Sequence, residues 1–341
     1  MNIDLVAQHA QVSTATVSRV INGTAVVSPA TAERVRESIA TLNYYPDVNA
    51  RALGSGRSGL YGLIISDITN PYFPELVKSF EEIAVEHGQD ILIANTNYDP
   101  KRMEACVIRM LQRKVDGVAV MTSEMDSHLL KNLSSRKIPL VFMDLAVAMR
   151  GVSTVSVDYA AGVRKAMSHL FALGHRRIAF LSGPLKLASA CVRSEAFMKC
   201  LKEHDAVGEA HLFQEGDHRV EGGRAAMKRV LEGGRHPTAV LASNDLTAIG
   251  AMGAIHDAGL RIPEDISIIG FDGIELSAYT QPPLTTLAVS RRELAATAFL
   301  SLYRDGKDTV GKRNTRSEHV LEPVLVVRQS TARAPGRRKA R

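Results

Sequence analysis

The chain has 341 residues, 45% apolar and 23% charged, an ordinary globular composition with ample material for a core. At roughly 100–200 residues per domain it holds about two to three domains, and disordered, collagenous and disulfide-scaffold classes are excluded. The net charge of +6 is not a basic surface: residues 1–59 carry five basic and four acidic side chains, whereas 331–341 carry five basic and no acidic ones. That excess, Arg333, Arg337, Arg338, Lys339 and Arg341, reads as a disordered solubilising tail with some non-specific attraction to phosphate.

The first elements are short helices. Val6, Ala7 and Ala10 give a first helix, and Gln11-Val12 a tight turn. Ser13 is a good N-cap for a second, because its hydroxyl can accept from the free backbone N–H groups of the first turn. Val17, Val20 and Ile21 recur at i, i+3, i+4 and so face inward. Thr14, Ala15, Ser18, Arg19 and Asn22 lie opposite, small or hydrogen-bonding side chains suited to close approach to base edges. Gly23 ends this helix. Ser28-Pro29 starts a third, with Val35, Ile39 and Leu42 as its stripe. The pattern is a helix-turn-helix, whose second helix would enter a major groove; spacing alone equally allows a three-helix cap with no nucleic-acid role.

Gly54-Ser55-Gly56-Arg57-Ser58-Gly59 matches GxGxxG but precedes a strand instead of following one, so it reads as a linker. From Leu60 apolar strands alternate with amphipathic helices. Strands are expected at 61–66, 91–94, 117–121, 140–143, 155–157, 177–181, 211–213, 239–242, 266–270, 319–321 and 324–327. Helices are expected at 74–87, 101–114, 159–173, 191–204, 220–231, 246–258 and 290–305. Near-continuous apolar strands between helices imply parallel sheets covered on both faces. The pattern restarts after 157, which suggests two α/β units; the two late strands could join either. No short-period repeat is present.

Other classes find little support. No apolar run reaches the ~18–20 residues of a membrane span. Met1 to Leu5 lacks the basic-then-apolar start of a secretory signal, so a cytoplasmic protein without membrane contact is expected. Cys106, Cys191 and Cys200 form no CxxC and read as reduced thiols. There is no metal-ligand cluster, P-loop or GxSxG elbow, and His169, His175 and His218 have no evident nucleophile partner, so neither cofactor, metal nor catalytic residue is expected.

The run Val12 to Gly23, followed by Leu42-Asn43-Tyr44-Tyr45-Pro46 and Ala50-Arg51-Ala52-Leu53, resembles the lactose-repressor (LacI/GalR) family of bacterial transcription regulators. The likeness continues in order through Asn70-Pro71-Tyr72-Phe73, Val115-Asp116-Gly117, Leu173-Gly174-His175-Arg176-Arg177-Ile178, Ala242-Ser243-Asn244-Asp245, Gly270-Phe271-Asp272 and Pro283-Leu284-Thr285-Thr286. It spans nearly the whole chain. It implies an α/β protein: a three-helix headpiece at 1–45, a hinge helix and linker at 46–59, and at 60–330 a two-subdomain parallel α/β core similar to periplasmic sugar-binding proteins. Subdomain one would take about 60–158 and 290–318, subdomain two about 162–287 and 322–330, with the basic tail at 331–341.

The resemblance also implies roles. A homodimer would bind a near-palindromic DNA operator. Thr14, Ala15 and Arg19 would read bases, with Arg19 able to fork onto a guanine edge. Ser13, Ser18 and Asn22 would fix phosphates and register, Thr16 would also lie at the DNA, and Ala50 and Leu53 of the hinge would meet the minor groove, with Leu53 wedging a central step. Tyr72, Phe73, Asp144, Ser189, Arg193, His218, Asn244 and Asp272 would surround a small effector between the subdomains. Purine-responsive members carry arginine at the position of Leu187, so a sugar, sugar phosphate or sugar acid is expected. The segment after Ser330 has no leucine heptad and contains Pro335, which argues for a dimer, not a tetramer. Two departures stand out. Gln11 replaces the usual Gly or Asn of the turn. Leu5 replaces an Asp of the first helix, close to the start of the chain, which leaves a start upstream of Met1 open. The rival readings are a transport-type solute-binding protein and a sugar-acting enzyme; cell fractionation and turnover of a sugar panel separate them from a regulator, whose usual action in this family is repression.

Overall fold

A computed structural model describes residues 2–23, 26–45, 57–122, 129, 133, 136, 138–144, 152–206, 208–307 and 318–335. The chain divides into two compact units, Met1–Gly59 and Leu60–Arg341.

The first unit holds three helices: α1 (Ile3–His9), α2 (Thr14–Asn22) and α3 (Pro29–Thr41). Each begins on a side-chain cap. Asn2 accepts from Leu5 N, Ser13 from Thr16 N and Ser28 from Thr31 N, each satisfying an orphan donor for ~1 kcal/mol. Gly23 closes α2 at φ 61°, a left-handed position that costs glycine nothing. Val6, Ala7, Ala10, Val17 and Val35 form a small core. Gln11 sits at φ 52°, and the left-handed conformation costs a residue with a Cβ about 1–2 kcal/mol. Leu5 is 48% exposed, so this departure adds little to the core.

The second unit contains two six-stranded sheets. The first runs β11-β5-β4-β3-β1-β2, all parallel, from β1 (Leu60–Ile65), β2 (Asp90–Asn95), β3 (Gly117–Met121), β4 (Leu140–Asp144), β5 (Ser153–Val157) and β11 (Glu318–Leu321). The second runs β12-β10-β9-β8-β6-β7, from β6 (Ile178–Ser182), β7 (Phe213–Glu215), β8 (Ala239–Ala242), β9 (Ser267–Asp272), β10 (Thr285–Ala288) and β12 (Val324–Val326), parallel except for β10 against β12. Helices α4 (Tyr72–Glu86) and α5 (Pro100–Gln112) flank the first sheet. Helices α6 (Tyr159–Ala172), α7 (Ala188–Glu203), α8 (Val220–Glu232) and α9 (Asp245–Asp257) flank the second. Each subdomain is thus a doubly wound α/β layer, covered on both faces as the near-continuous apolar strands require.

The chain passes between the subdomains three times. Asp158 links β5 to α6, capping that helix through Ala161 N. Val289 and Ser290 link β10 to α10 (Arg291–Lys307), and Glu322 and Pro323 link β11 to β12. Helix α10 returns to the first core, where Leu294, Ala298, Phe299 and Leu302 are fully buried. Phe299 packs edge-on against Phe80 with ring centroids 5.5 Å apart. Burying each such side chain contributes about 1.5–3 kcal/mol.

Three expectations are corrected. The strand expected at 211–213 is a 3₁₀ turn at Ala210–Leu212 followed by β7: only Leu212 is buried, and two apolar residues beside a histidine fix no register. Strand β10 was not expected. Its Thr285 and Thr286 are polar yet fully buried, because each hydroxyl has a partner, Arg328 N for Thr285 and Asp245 for Thr286. The tail does not leave the core at 331. Ala332 N donates to Ser267, Ala332 O accepts from His175, and Ala334 N donates to Leu173 O. Of the GxGxxG run, Gly54 to Gly56 lie outside the described residues, and Arg57 to Gly59 lead into β1. Cys106, Cys191 and Cys200 are free thiols.

Candidate nucleic-acid interface and ligand cleft

On α2 the inward residue is Val17, and the opposite face carries the predicted set. Ala15, Arg19 and Asn22 are exposed, with Thr14, Thr16 and Ser18 half-buried. The small groups are pre-set by local bonds: Ser13 Oγ lies 3.0 Å from Thr16 Oγ1, and Asn22 Nδ2 donates to Ser18 Oγ at 3.2 Å. Arg19 has neither an ion pair nor a side-chain hydrogen bond among the described residues, so all five guanidinium donors are available. Ala50 and Leu53 lie outside the described residues.

In the second unit all eight predicted effector residues line one cavity between the two sheets. Its atom-free volume, open mouth included, is about 610 Å³. The walls are loops and helix starts at the carboxyl ends of parallel strands, where open α/β sheets bind ligands. Tyr72 and Phe73 open α4, are buried, and meet edge-on at 5.6 Å. Asp144 ends β4 at φ 84°, and Asp272 ends β9 at φ 112°. Both adopt backbone conformations that L-residues avoid, so the surrounding bonds must hold them.

Arg193 is 5% exposed and heavily engaged. Its Nε donates to Ser189 O at 3.0 Å, its Nη1 donates to Ser243 O, and its plane lies over the rings of Tyr159 (4.3 Å) and Phe271 (5.1 Å). Tyr159 donates a short hydrogen bond to Asp144 Oδ1. Burial pushes the Asp144 carboxyl above its ordinary range against the pull of Tyr159 and Arg193. Burial pushes Asp272 well up too, reinforced by the nearby Asp245 and Asp144 carboxylates and opposed by Arg193 and Arg291. Asp272 has no side-chain hydrogen bond among the described residues.

His218 stands at φ 64°, and its ring is buried with Nε2 lacking a partner among the described residues. Burial, aided by Arg193, holds it neutral, with the pKa lowered to about 3. The ring fits because Gly183 faces it: a Cβ there would come 1.8 Å from Nε2. Asn244 caps α9 by accepting from Thr247 N at 2.8 Å.

The subdomains also meet at the rim. Arg219 donates to Asp67 at 3.0 Å. Burial raises the Asp67 carboxyl, but bonds from Thr69 and Arg219 outweigh it and hold the group below its ordinary value.

Sequence reasoning missed Tyr159, Ser66, Asn70, Tyr98, Met121 and Thr122 as cavity residues. It also missed Asp245, fully buried beneath Asp272. A tyrosine immediately after the first crossing was the one available hint. Among the described residues no His/Cys/Asp/Glu group could hold a metal, and no helix is long and apolar enough to cross a membrane.

Residues 2–47 match the model of bacterial regulatory proteins of the lacI family, and residues 167–331 that of a periplasmic binding protein-like domain. The chain is 34% identical over 326 residues to the HTH-type transcriptional repressor PurR of Histophilus somni (strain 129Pt), covering 95% of this chain and 97% of that one. It belongs to the LacI family. Among solved LacI-type structures, the lac repressor dimer bound to operator and the anti-inducer ONPF superposes with a TM-score of 0.86 at 30% identity, over 97% of this chain and 99% of that one. The complex of the regulator CelR with cellobiose gives 0.72 at 28% identity, over 97% and 99%. This LacI-family member is therefore a transcriptional repressor with a DNA-binding helix-turn-helix and a ligand-binding domain, not an enzyme.

Proposed function

We propose that the repressor binds a near-palindromic operator as a homodimer at the nucleoid, and that a neutral carbohydrate in the cleft controls it. On DNA, Arg19 forks onto a guanine, Thr14 and Ala15 read neighbouring edges, and Ser13, Thr16, Ser18 and Asn22 set register on phosphates. Ala50 and Leu53 meet the minor groove. The guanidinium of Arg19, exposed and with no ion pair or side-chain hydrogen bond among the described residues, supports this reading.

The observation that carries the effector class is the charge arrangement around Asp272. Asp144 and Asp272 line the cavity with Arg193, whose Nε and Nη1 already donate to Ser189 O and Ser243 O and whose plane already lies over Tyr159 and Phe271. A phosphate or carboxylate would enter beside two carboxyls. A polyol can donate to Asp272, fill the unpaired acceptor or donor capacity of His218 Nε2, and lay an apolar face on Tyr72 and Phe73. Leu187 lines the same cavity with no donor for a purine. The binding of cellobiose by CelR is consistent with a sugar. The ligand moves the DNA equilibrium only through its different affinity for the two subdomain arrangements.

The test has two stages. Selection from a random duplex pool yields two half-sites about one helical turn apart, and Arg19→Ala weakens the selected site at least tenfold, as does Leu53→Ala. A thermal-shift screen then compares neutral sugars, sugar phosphates, sugar acids and purines. Stabilisation by an anionic class alone, or by purines alone, overturns the effector assignment without touching the DNA reading.

A further inference from the structure

Asp272 and Gly273 form two successive left-handed positions, at φ 112° and 67°. Such a turn costs about 1–3 kcal/mol at the first, non-glycine residue and persists only when its surroundings impose it. Its own subdomain supplies one hold. Asp245 accepts from Ile274 N at 2.9 Å and from the Thr286 hydroxyl at 2.5 Å, and Gly273 N donates to Thr286 Oγ1 at 3.3 Å.

The other subdomain supplies the second hold. Arg291 is the first residue of α10, just past the crossing at Val289 and Ser290. Its Nη1 donates to Asp272 O at 2.8 Å, its Nη2 to Gly273 O at 2.7 Å, and Nη2 also pairs with Glu75 Oε2 of α4 at 2.7 Å. The second oxygen of that carboxylate, Glu75 Oε1, accepts from Glu275 N at 3.0 Å. One ion pair of the first subdomain therefore closes a ring around residues 272–275 of the second. Its side chains are only 17% and 25% exposed, so water competes weakly. The same guanidinium lies 5.7 Å from the centre of the Tyr72 ring, a wall of the cleft. The Asp272 carboxyl has no hydrogen bond of its own among the described residues, so its direction follows its backbone.

We infer that Arg291, with Glu75 as its counter-ion, is a positioning residue: it aims the Asp272 carboxyl into the cleft and couples what Asp272 binds to α4 and α10 of the first subdomain. This rests on the reading of Asp272 as an effector contact. Neither residue lines the cavity, so neither acts by touching the sugar.

The test uses the full chain with Arg291→Gln, Arg291→Lys and Glu75→Gln. Two readouts need no sugar. Hydrogen exchange at Gly273 to Glu275 rises at least tenfold in Arg291→Gln, while Ile268 to Gly270 within β9 keep their protection. The carboxyl of Asp272, followed by ¹³C NMR, titrates at higher pH in Arg291→Gln because a facing cation is gone; Arg193, Asp144 and Asp245, the other charged groups facing it, are unchanged. Arg291→Lys restores the titration but not the protection, since lysine keeps the charge and loses the two-carbonyl fork. Glu75→Gln keeps an acceptor for Glu275 N and releases the arginine, giving an intermediate exchange rate. Unchanged exchange at 273–275, or a rise shared equally by β9, overturns the inference. The third readout is calorimetry with D-ribose, D-galactose and cellobiose. Affinity for whichever binds the parent falls at least tenfold in Arg291→Gln, and an unchanged affinity also overturns the inference. If none binds the parent, the carbohydrate reading is what fails, and exchange and titration still decide the role of Arg291.

Discussion

Asn244 Nδ2 donates to the backbone carbonyl of His218 at 3.0 Å, while its Oδ1 caps α9. One buried amide thus serves two elements: it starts a helix and holds a histidine at φ 64° against the cleft. The two functions separate by substitution. Asn244→Asp keeps the cap acceptor but loses the donor and adds a charge near Asp245 and Asp272. The expected cost is about 1–3 kcal/mol, read from urea unfolding. Asn244→Ser keeps a cap within a few tenths of a kcal/mol but cannot reach both groups. Equal stability of the aspartate variant and the parent would show that the bond to His218 carries no weight.

Gly183 is the space into which His218 folds. A Cβ at 183 would lie 1.8–2.4 Å from three atoms of the imidazole, so Gly183→Ala must move the ring. The expected result is a modest loss of stability, about 1–3 kcal/mol, together with loss of thermal stabilisation by any sugar that stabilises the parent. Retained sugar response in Gly183→Ala would remove His218 from the binding site.

Asp245 gives the pH dependence a definite sign. Burial pushes its carboxyl up to about 7, against the pull of the Thr286 hydroxyl, the Ile274 and Gly273 amides and Arg328. Its folded value thus exceeds the unfolded 3.8, and the folded state binds the extra proton. This stabilisation is complete below about pH 4 and is lost as pH rises through about 7. His218 has the opposite sign: its value is depressed from 6.5 to about 3, so its contribution is present above about 6.5 and is lost as pH falls toward 3. The two oppose each other in mild acid. The difference in unfolding free energy between the parent and Asp245→Asn isolates the first. It should fall between pH 4 and 7 and level off above 8. A flat difference across that range would mean that Asp245 does not titrate there.

Gln11 offers a gain. At φ 52° it pays for a conformation that glycine adopts freely. Gln11→Gly should stabilise the headpiece by roughly 0.5–1 kcal/mol, after the extra unfolded-state entropy of glycine is deducted. Hydrogen exchange at Val6 and Val17 in the full chain reports it as up to about fivefold slower exchange. Faster exchange would mean that the glutamine side chain stabilises the turn.

The recognition helix was legible because every signal in it is local: a capping serine, apolar residues at helical spacing and a terminal glycine. Strands β3 and β8 were legible for a similar reason, as each is a continuous apolar run buried along its whole length. Strand β10 was hidden, since two threonines interrupt the apolar run that marks the other buried strands, and only the structure shows Arg328 and Asp245 satisfying them. The effector residues were named through resemblance, not pattern; nothing in the periodicity marks Arg193 or Asp272. Asp245 and Arg291 were missed for a shared reason. An aspartate in a first helical turn and an arginine at a helix start are ordinary surface choices, and only tertiary burial gives them work.

The three short crossings have a consequence for synthesis. The first sheet takes its edge strand β11 from residues 318–321, and its covering helix α10 from 291–307, both made after the whole of β6 to β10. A growing chain that has already produced the DNA-reading helices cannot close the lobe next to them in sequence until its last few dozen residues arrive. A product cut short by a nonsense codon after Ala288 would bear a recognition helix on an unfinished lobe, with Tyr61, Phe80 and their neighbours bare. Such a fragment would carry exposed apolar surface, so the interleaved order ties a closed first lobe to completion of nearly the whole chain.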